Sequence, residues 1–115
     1  MPNVTQSFVD YLFDKASQIT DKIKKKAVAC RQDYLFVTTA GSAKNRNHWI
    51  SLLQRVSLGN AEIIGYEIKS DSKTAALVNG FNAHTLELDD GQRFAMIHLG
   101  ASIISAIKAA SNSRV

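Results

Sequence analysis

The sequence predicts an all-α or nearly all-α fold of about five helices in a single domain, residues 1–115. Pro2 is the only proline, so no later residue forces a helix to break. Apolar residues recur every three or four positions over most of the chain, which is typical of amphipathic helices. One short stretch, residues 61–69, departs from this spacing and carries the pattern of extended chain.

The composition fits one ordinary globular domain. The chain has 115 residues, of which 45% are hydrophobic and 21% are charged, and one cysteine, Cys30. A single cysteine excludes an intrachain disulfide and a zinc site built from several cysteines, and it is typical of the reducing cytosol. No apolar run approaches the roughly 18 residues that span a bilayer, and no signal-peptide pattern opens the chain. We therefore expect a cytoplasmic protein that does not bind membranes.

The net charge of +4 is distributed unevenly along the chain. Residues 1–57 hold nine basic and four acidic side chains, whereas residues 58–115 hold five basic and six acidic ones. Four lysines cluster at Lys22 and Lys24–Lys26, but no aromatic side chains are interleaved with them. We expect these lysines to form the solvated face of a helix rather than a nucleic-acid interface.

Three helices are predicted in the first half of the chain. The second of them begins at Thr20-Asp21, where a hydroxyl cap precedes an acidic residue, and ends near Ala40-Gly41. Apolar positions define the three helices in turn: Phe8, Leu12, Ala16 and Ile19; Ile23, Ala27, Cys30, Tyr34 and Val37; Trp49, Leu52, Leu53 and Val56. Cys30 is expected to be a buried, inert thiol. The aromatic side chains of these helices are expected in the core: Phe8, Tyr11, Phe13, Tyr34, Phe36 and Trp49.

The second half begins with the extended excursion. Two short apolar runs on either side of Gly65 predict extended segments or a small hairpin over residues 61–69. A fourth helix is expected from about Lys73 to the Asp89-Asp90-Gly91 cluster, with Gly80 in its interior. Because a helical glycine costs about 1 kcal/mol relative to alanine, Gly80 indicates the close approach of another backbone.

The fifth helix is predicted from about Leu99 to Ala110. Its buried side is expected to carry Ile103, Ile104 and Ile107. His98-Leu99-Gly100 leads into this helix, whose first backbone N–H groups could bind an anion.

A dense group of charged and titratable residues lies within 15 positions: His84, Glu87, Asp89, Asp90, Arg93 and His98. On the predicted fourth helix, His84 and Glu87 are three residues apart and share a face, so their side chains can approach each other. Arg93 lies near enough in sequence to compensate the charge of the two aspartates. The set favours an acid–base site for an anionic substrate.

Other interpretations of these residues stay open. His84 fits a structural histidine that bonds to backbone, and Asp89-Asp90 fits a solvated turn. Metal binding by the acidic residues and the histidines is a rival, since such side chains ligate iron, manganese or zinc. It would require the loop Gly91–Ile97 to fold His98 back toward the fourth helix, and we expect no metal.

A block of motifs runs from Ala76 to Ala101. Its first part reads Ala76-Leu77-Val78-Asn79-Gly80, then Ala83-His84, then Glu87-Leu88-Asp89-Asp90-Gly91. Its second part reads His98-Leu99-Gly100-Ala101. These motifs resemble the A-L-V-N-G, A-H, [DE]-x-D-D and H-P-G-[AV] elements of the MmgE/PrpD family, which includes 2-methylcitrate dehydratase, cis-aconitate decarboxylase and iminodisuccinate epimerase. The resemblance covers roughly residues 5–110.

This resemblance implies a polycarboxylate lyase or isomerase that uses no metal or organic cofactor. The reaction passes through proton transfer at a carbon next to a carboxylate. Glu87 matches the site carboxylate of the family and His98 the site histidine, so we expect both to be catalytic. Asp89 and Asp90 match the paired acids, for which loop ordering is expected. His84 and Arg93 join them as substrate-binding or loop-ordering residues.

Three departures from the family pattern limit this expectation. Gln92 stands where many members carry a histidine, and Leu99 replaces the usual proline of the fifth helix. Complete members are several times longer, and their catalytic lysine lies beyond anything that matches Val115. We therefore expect an N-terminal fragment of the helical domain that is inactive alone. The alternative is a non-enzymatic helical protein that self-associates as a homo-oligomer to cover apolar faces.

Overall fold

The computed structural model describes residues 3–55 and 58–113, and within these ranges the chain forms five α-helices and one two-stranded sheet. The elements follow in the order α1 Val4–Ala16, α2 Asp21–Lys44, α3 Arg46–Leu53, β1 Ala61–Ile63, β2 Ile68–Ser70, α4 Ser72–His84 and α5 Leu99–Ser113. The predicted mostly helical fold with one extended excursion is confirmed. No helix in the described ranges combines the length and the apolarity needed to cross a bilayer.

The excursion is an antiparallel hairpin. Ala61 pairs with Ser70 at its open end, and Gly65 lies in its turn with a φ of +84°. That left-handed conformation favours glycine, because a side chain there meets its own backbone. Ile63 on β1 is completely buried, so the hairpin contributes directly to the core.

Side-chain caps fix the starts of two long helices. The hydroxyl of Thr20 accepts a hydrogen bond from the N–H of Ile23 and opens α2, as the sequence predicts. Asp71 opens α4 by accepting from the N–H groups of Lys73 and Thr74, both at 3.0 Å. Hydrogen bonds from Thr74, its hydroxyl first, hold the pKa of Asp71 below its ordinary value. This cap therefore stabilises α4 above the pKa of the unfolded carboxyl and is lost as the pH falls through the folded value.

Helix α4 packs against α2, α5 and the hairpin, and glycines bring the backbones close. A Cβ at Gly41 on α2 would overlap the carbonyl oxygen of Asn82 on α4. A Cβ at Gly80 would lie 3.2 Å from the carbonyl oxygen of Ala101 on α5. The close backbone approach predicted for Gly80 is confirmed.

Buried polar side chains join these elements. Asn79 on α4 is fully buried, accepts a hydrogen bond from the N–H of Ile64 and donates one to the carbonyl of Glu62, both at 2.9 Å. One side chain thus holds the hairpin backbone to α4. On the other side, the hydroxyl of Tyr34 lies 2.7 Å from that of Ser105 and joins α2 to α5. Burial raises the pKa of Tyr34 above its ordinary value.

The aromatic core is smaller than the sequence predicts. Trp49 and Tyr34 are buried as expected, but the other aromatic residues assigned to the core are more than half exposed: Phe8, Tyr11, Phe13 and Phe36. Helix α1 carries no buried residue, and α2 buries side chains only from Tyr34 onward. Cys30 is half-buried, and Val56 of the predicted third helix lies outside the described residues. The reason is that α1 and the first half of α2 extend beyond the packed body, which gives the molecule an elongated shape of 49 × 28 × 28 Å.

Helix α5 also buries a different side from the predicted one. Ile103 and Ile107 are 46% and 60% exposed, and Ile104 is half-buried. The buried residues of this helix are small: Gly100, Ala101, Ser105 and Ala109. Close packing against α4 selects small side chains, so Ile103 and Ile107 face outward, while Ile104 packs against the edge of the core.

Candidate functional site

The charged residues predicted from the sequence lie where α4 ends and the chain crosses to α5. Helix α4 ends at His84, and Glu87 adopts a φ of +53° outside it. His84 and Glu87 therefore do not share a helix face, and that prediction is wrong. A longer helix would place three carboxylates at its negative end, whereas the observed turn sends Asp89 back toward His84.

The carboxylate of Asp89 lies between two imidazole rings. Its oxygens are 3.0 and 3.1 Å from Nδ1 of His84, and one of them is 3.5 Å from Nδ1 of His98. The Asp89 side chain is 3% exposed, whereas the two rings are half-exposed with centroids 5.3 Å apart. A nearly buried carboxylate therefore orients a pair of solvent-accessible imidazoles.

Asp90 uses two different groups to fix the start of α5. Its carboxylate accepts the N–H of Gly100 at 2.9 Å, and its carbonyl oxygen lies 2.7 Å from Nδ1 of His98. A Cβ at Gly100 would overlap that carboxylate, so glycine allows this close approach of the Asp90 side chain. The sequence suggested a substrate anion at this helix start. At Gly100 the chain's own carboxylate takes that place.

The loop Gly91–Ile97 folds back as the metal hypothesis requires. Gln92 and Ile97 form an antiparallel bridge, with N···O distances of 2.9 and 3.4 Å. Met96 takes a φ of +52° within the turn. The fold of this loop brings His98, fourteen positions further along the chain, next to His84.

Two predicted site residues stay outside this cluster. Glu87 is exposed, and its carboxylate forms no hydrogen bond or ion pair with the residues that the structure describes. Arg93 is exposed as well and forms no ion pair with Asp89 or Asp90 in the described ranges, so it does not compensate their charge. It lines a shallow hollow that also borders His98.

An open hollow of about 460 Å³ lies between α4 and α5 beside the two imidazoles. Its wall is mostly apolar and is formed by Ala76, Leu77, Gly80, Phe81, Ala101 and Ser102. Sequence reasoning did not assign this wall to the site. The sequence of α4 offers one indication of this wall: small residues lie around Leu77 and Phe81. These two large apolar side chains are 66% and 51% exposed.

The fold and this cluster can be compared with known proteins. The family model described as the MmgE/PrpD N-terminal domain matches residues 7–114 of the chain. This chain belongs to the MmgE/PrpD family. Comparisons with curated proteins and with solved structures gave no significant match. The resemblance seen in the motifs is confirmed, and the matched range of the MmgE/PrpD domain contains the entire cluster from His84 to His98.

The cluster of this MmgE/PrpD chain offers two kinds of chemistry. An ionised carboxylate only accepts hydrogen bonds, so Nδ1 of His84 carries a proton when it bonds to Asp89, and Nδ1 of His98 carries one when it bonds to the Asp90 carbonyl. The opposite nitrogen of each neutral ring then holds a free lone pair. Within the described ranges, His84, Asp89 and His98 also form a group whose donor atoms all lie within 4.8 Å of one another, close enough to hold a metal ion.

Proposed function

We propose that this chain is the N-terminal part of a polycarboxylate lyase or isomerase in which imidazole groups transfer a proton at a carbon next to a carboxylate. The observation that carries the proposal is the pair His84 and His98, oriented by two aspartates beside an open hollow in a chain of the MmgE/PrpD family. The reaction type comes from the family resemblance, and the residues that would perform it come from the site.

In this proposal His98 is the base. Its Nδ1–H bonds to the Asp90 carbonyl, which leaves the lone pair of Nε2 available to accept a proton from carbon. Asp89 and Asp90 position the rings and the loop. Arg93 is exposed and lines the same shallow hollow as His98, and its guanidinium is well suited to holding a substrate carboxylate in two hydrogen bonds. The catalytic role proposed for Glu87 is supported by the family resemblance alone.

Titration of the isotope-labelled chain with citrate or cis-aconitate tests this proposal by NMR. We expect the resonances of His98, Arg93 and Glu87 to shift, with weak binding in the range of about 1–10 mM because the chain offers few ligands to the anion. The amide of Lys69 on the hairpin serves as an internal control. Acetate at equal ionic strength serves as the ligand control. A tricarboxylate that leaves His98 and Glu87 unmoved, or that acts no more strongly than acetate, contradicts the proposal.

A second candidate is a self-associating helical protein without activity of its own, and the exposed face of α1 favours it. This helix buries no residue and presents Phe8, Tyr11, Leu12 and Phe13 at 49–75% exposure. Such a patch is typical of surfaces that pair with another protein surface. A homo-oligomer would cover it with a second copy.

Light scattering coupled to gel filtration tests self-association. We expect a dimer or larger oligomer that dissociates on dilution, and a variant carrying Phe8→Glu and Phe13→Glu that is monomeric. Leu58→Glu introduces the same charge at a side chain that is 94% exposed, and this control should keep the native oligomeric state. A native chain that is monomeric at every concentration, with a cooperative melt, removes this candidate.

A further inference from the structure

We propose that His84, Asp89 and His98 form a binding site for one divalent transition-metal ion, of which Zn²⁺ is the representative. The sequence alone does not predict this site, because nothing in it requires His98 to return to α4. The structure supplies that return and places the three side chains together. The proposal does not rest on the proposed lyase or isomerase function.

The geometry of the three donors is close to that of a ligated ion. In a tetrahedral site with metal–ligand distances of about 2.0–2.1 Å, neighbouring donor atoms lie roughly 3.3 Å apart. The oxygens of Asp89 lie 3.0 Å from Nδ1 of His84 and 3.5 Å from Nδ1 of His98, on either side of that value. The longest separation within the group is at most 4.8 Å, so the three atoms lie near enough to take three corners once the rings adjust. Water would occupy the remaining position.

The charge of the region favours a cation. Asp89 and Asp90 lie just beyond the carboxyl end of α4, where the helix dipole is negative. In the described part of the chain no lysine or arginine pairs with either aspartate; the ion-pair contacts of Asp89 are to the two imidazoles. A divalent ion would supply the positive charge that this pair of carboxylates lacks.

The loop holds the donors without help from an ion. The bridge between Gln92 and Ile97 and the bond from Gly100 to Asp90 are both outside the donor group. Metal binding therefore involves little loss of conformational entropy in the chain, since the ligands already lie together. The principal cost is the hydrogen bonds that the two Nδ1 atoms give up if they take the metal: that of His98 to the Asp90 carbonyl and that of His84 to the Asp89 carboxylate.

The donor types select the class of ion. Two imidazole nitrogens and one carboxylate suit Zn²⁺, Ni²⁺, Co²⁺ or Fe²⁺, whereas Mg²⁺ and Ca²⁺ prefer oxygen ligands alone. The bound ion would also remove the basicity of His98, because the ring nitrogen that takes the metal gives its lone pair to the ion. Metal binding and proton transfer by this imidazole therefore compete, and the ion acts as an inhibitor of the proposed reaction rather than as its cofactor.

Equilibrium dialysis and calorimetry of the full chain with ZnCl₂ test the proposal. We expect one Zn²⁺ per chain, unaffected by a large excess of Mg²⁺. His84→Ala, His98→Ala and Asp89→Asn should each weaken binding by at least about a hundredfold, because loss of a direct ligand costs no less than loss of the groups that support one. The matched control is His48→Ala, which removes the exposed histidine of α3 and should leave the affinity unchanged.

A measurement on the native chain keeps the proposal testable if a variant fails to fold. Ni²⁺ added to the native chain should broaden the imidazole resonances of His84 and His98 before that of His48, because a paramagnetic ion relaxes the nuclei nearest to it. Co²⁺ should give visible absorption bands of tetrahedral coordination. Absence of stoichiometric Zn²⁺ binding, equal broadening of all three imidazoles, or loss of binding in His48→Ala overturns the proposal.

Discussion

Replacement of Gly41 by alanine is expected to lower the free energy of unfolding by about 3 kcal/mol, the upper range for overpacking a close contact. The added Cβ would overlap the carbonyl oxygen of Asn82 and lie 2.8 Å from its carbonyl carbon. These are backbone atoms of α4, which cannot rotate away as a side chain can. Alanine regains about 1 kcal/mol of helix propensity, which offsets only part of the cost of separating α2 from α4.

Urea denaturation followed by circular dichroism measures this effect. The matched control is Gly91→Ala, because a Cβ at Gly91 would meet no atom within 4 Å and its φ lies outside the left-handed region. We expect the control to change stability by less than about 0.5 kcal/mol, as surface substitutions do. A Gly41→Ala chain as stable as the native one would mean that α2 and α4 are not in backbone contact at Gly41 and Asn82.

Replacement of Asn79 by alanine is expected to lower the free energy of unfolding by about 3 kcal/mol. The change leaves the N–H of Ile64 and the carbonyl of Glu62 without their side-chain partner. An unpaired buried polar group costs about 1–3 kcal/mol, and here two are created together. Burial makes the loss larger, because Asn79 is fully inaccessible and water cannot take its place.

Hydrogen exchange distinguishes this mechanism from a general loss of packing. In Asn79→Ala the amide of Ile64 should exchange faster by a larger factor than the amides of α5, since its own acceptor is removed. Asn47→Ala, at an exposed position of α3, should leave both stability and exchange close to native. Uniform acceleration of all core amides in Asn79→Ala would show that the side chain acts by filling space alone.

Local pattern predicted the helices of this fold but not the side that each one buries. The spacing of Ile103 and Ile107 indicates an amphipathic α5 correctly, yet the buried side consists of Ala101, Ser105 and Ala109. Periodicity shows that a helix has an apolar side, whereas packing against the partner helix determines which side is buried. Close contact with α4 requires small residues, and hydrophobicity alone does not reveal that requirement.

The candidate site was predictable in its residues and not in its geometry. The motifs identified His84, Asp89, Asp90 and His98 because they occur together in one family pattern. The end of α4 at His84 does not follow from periodicity, since Asp89 there contacts two imidazoles, one of which lies nine residues further along the chain. A helix and a turn are both compatible with the local sequence, and contacts beyond the helical spacing of three or four residues favour the turn.

The position of Asp90 has a mechanical consequence. Its carbonyl holds the His98 ring while its carboxylate holds the first turn of α5, so orientation of the imidazole and initiation of the helix share one residue. A ligand that pulls the ring away from the Asp90 carbonyl is therefore expected to disturb the bond from Gly100 to the same residue. Hydrogen exchange of the Gly100 amide would then report whether the imidazole is occupied.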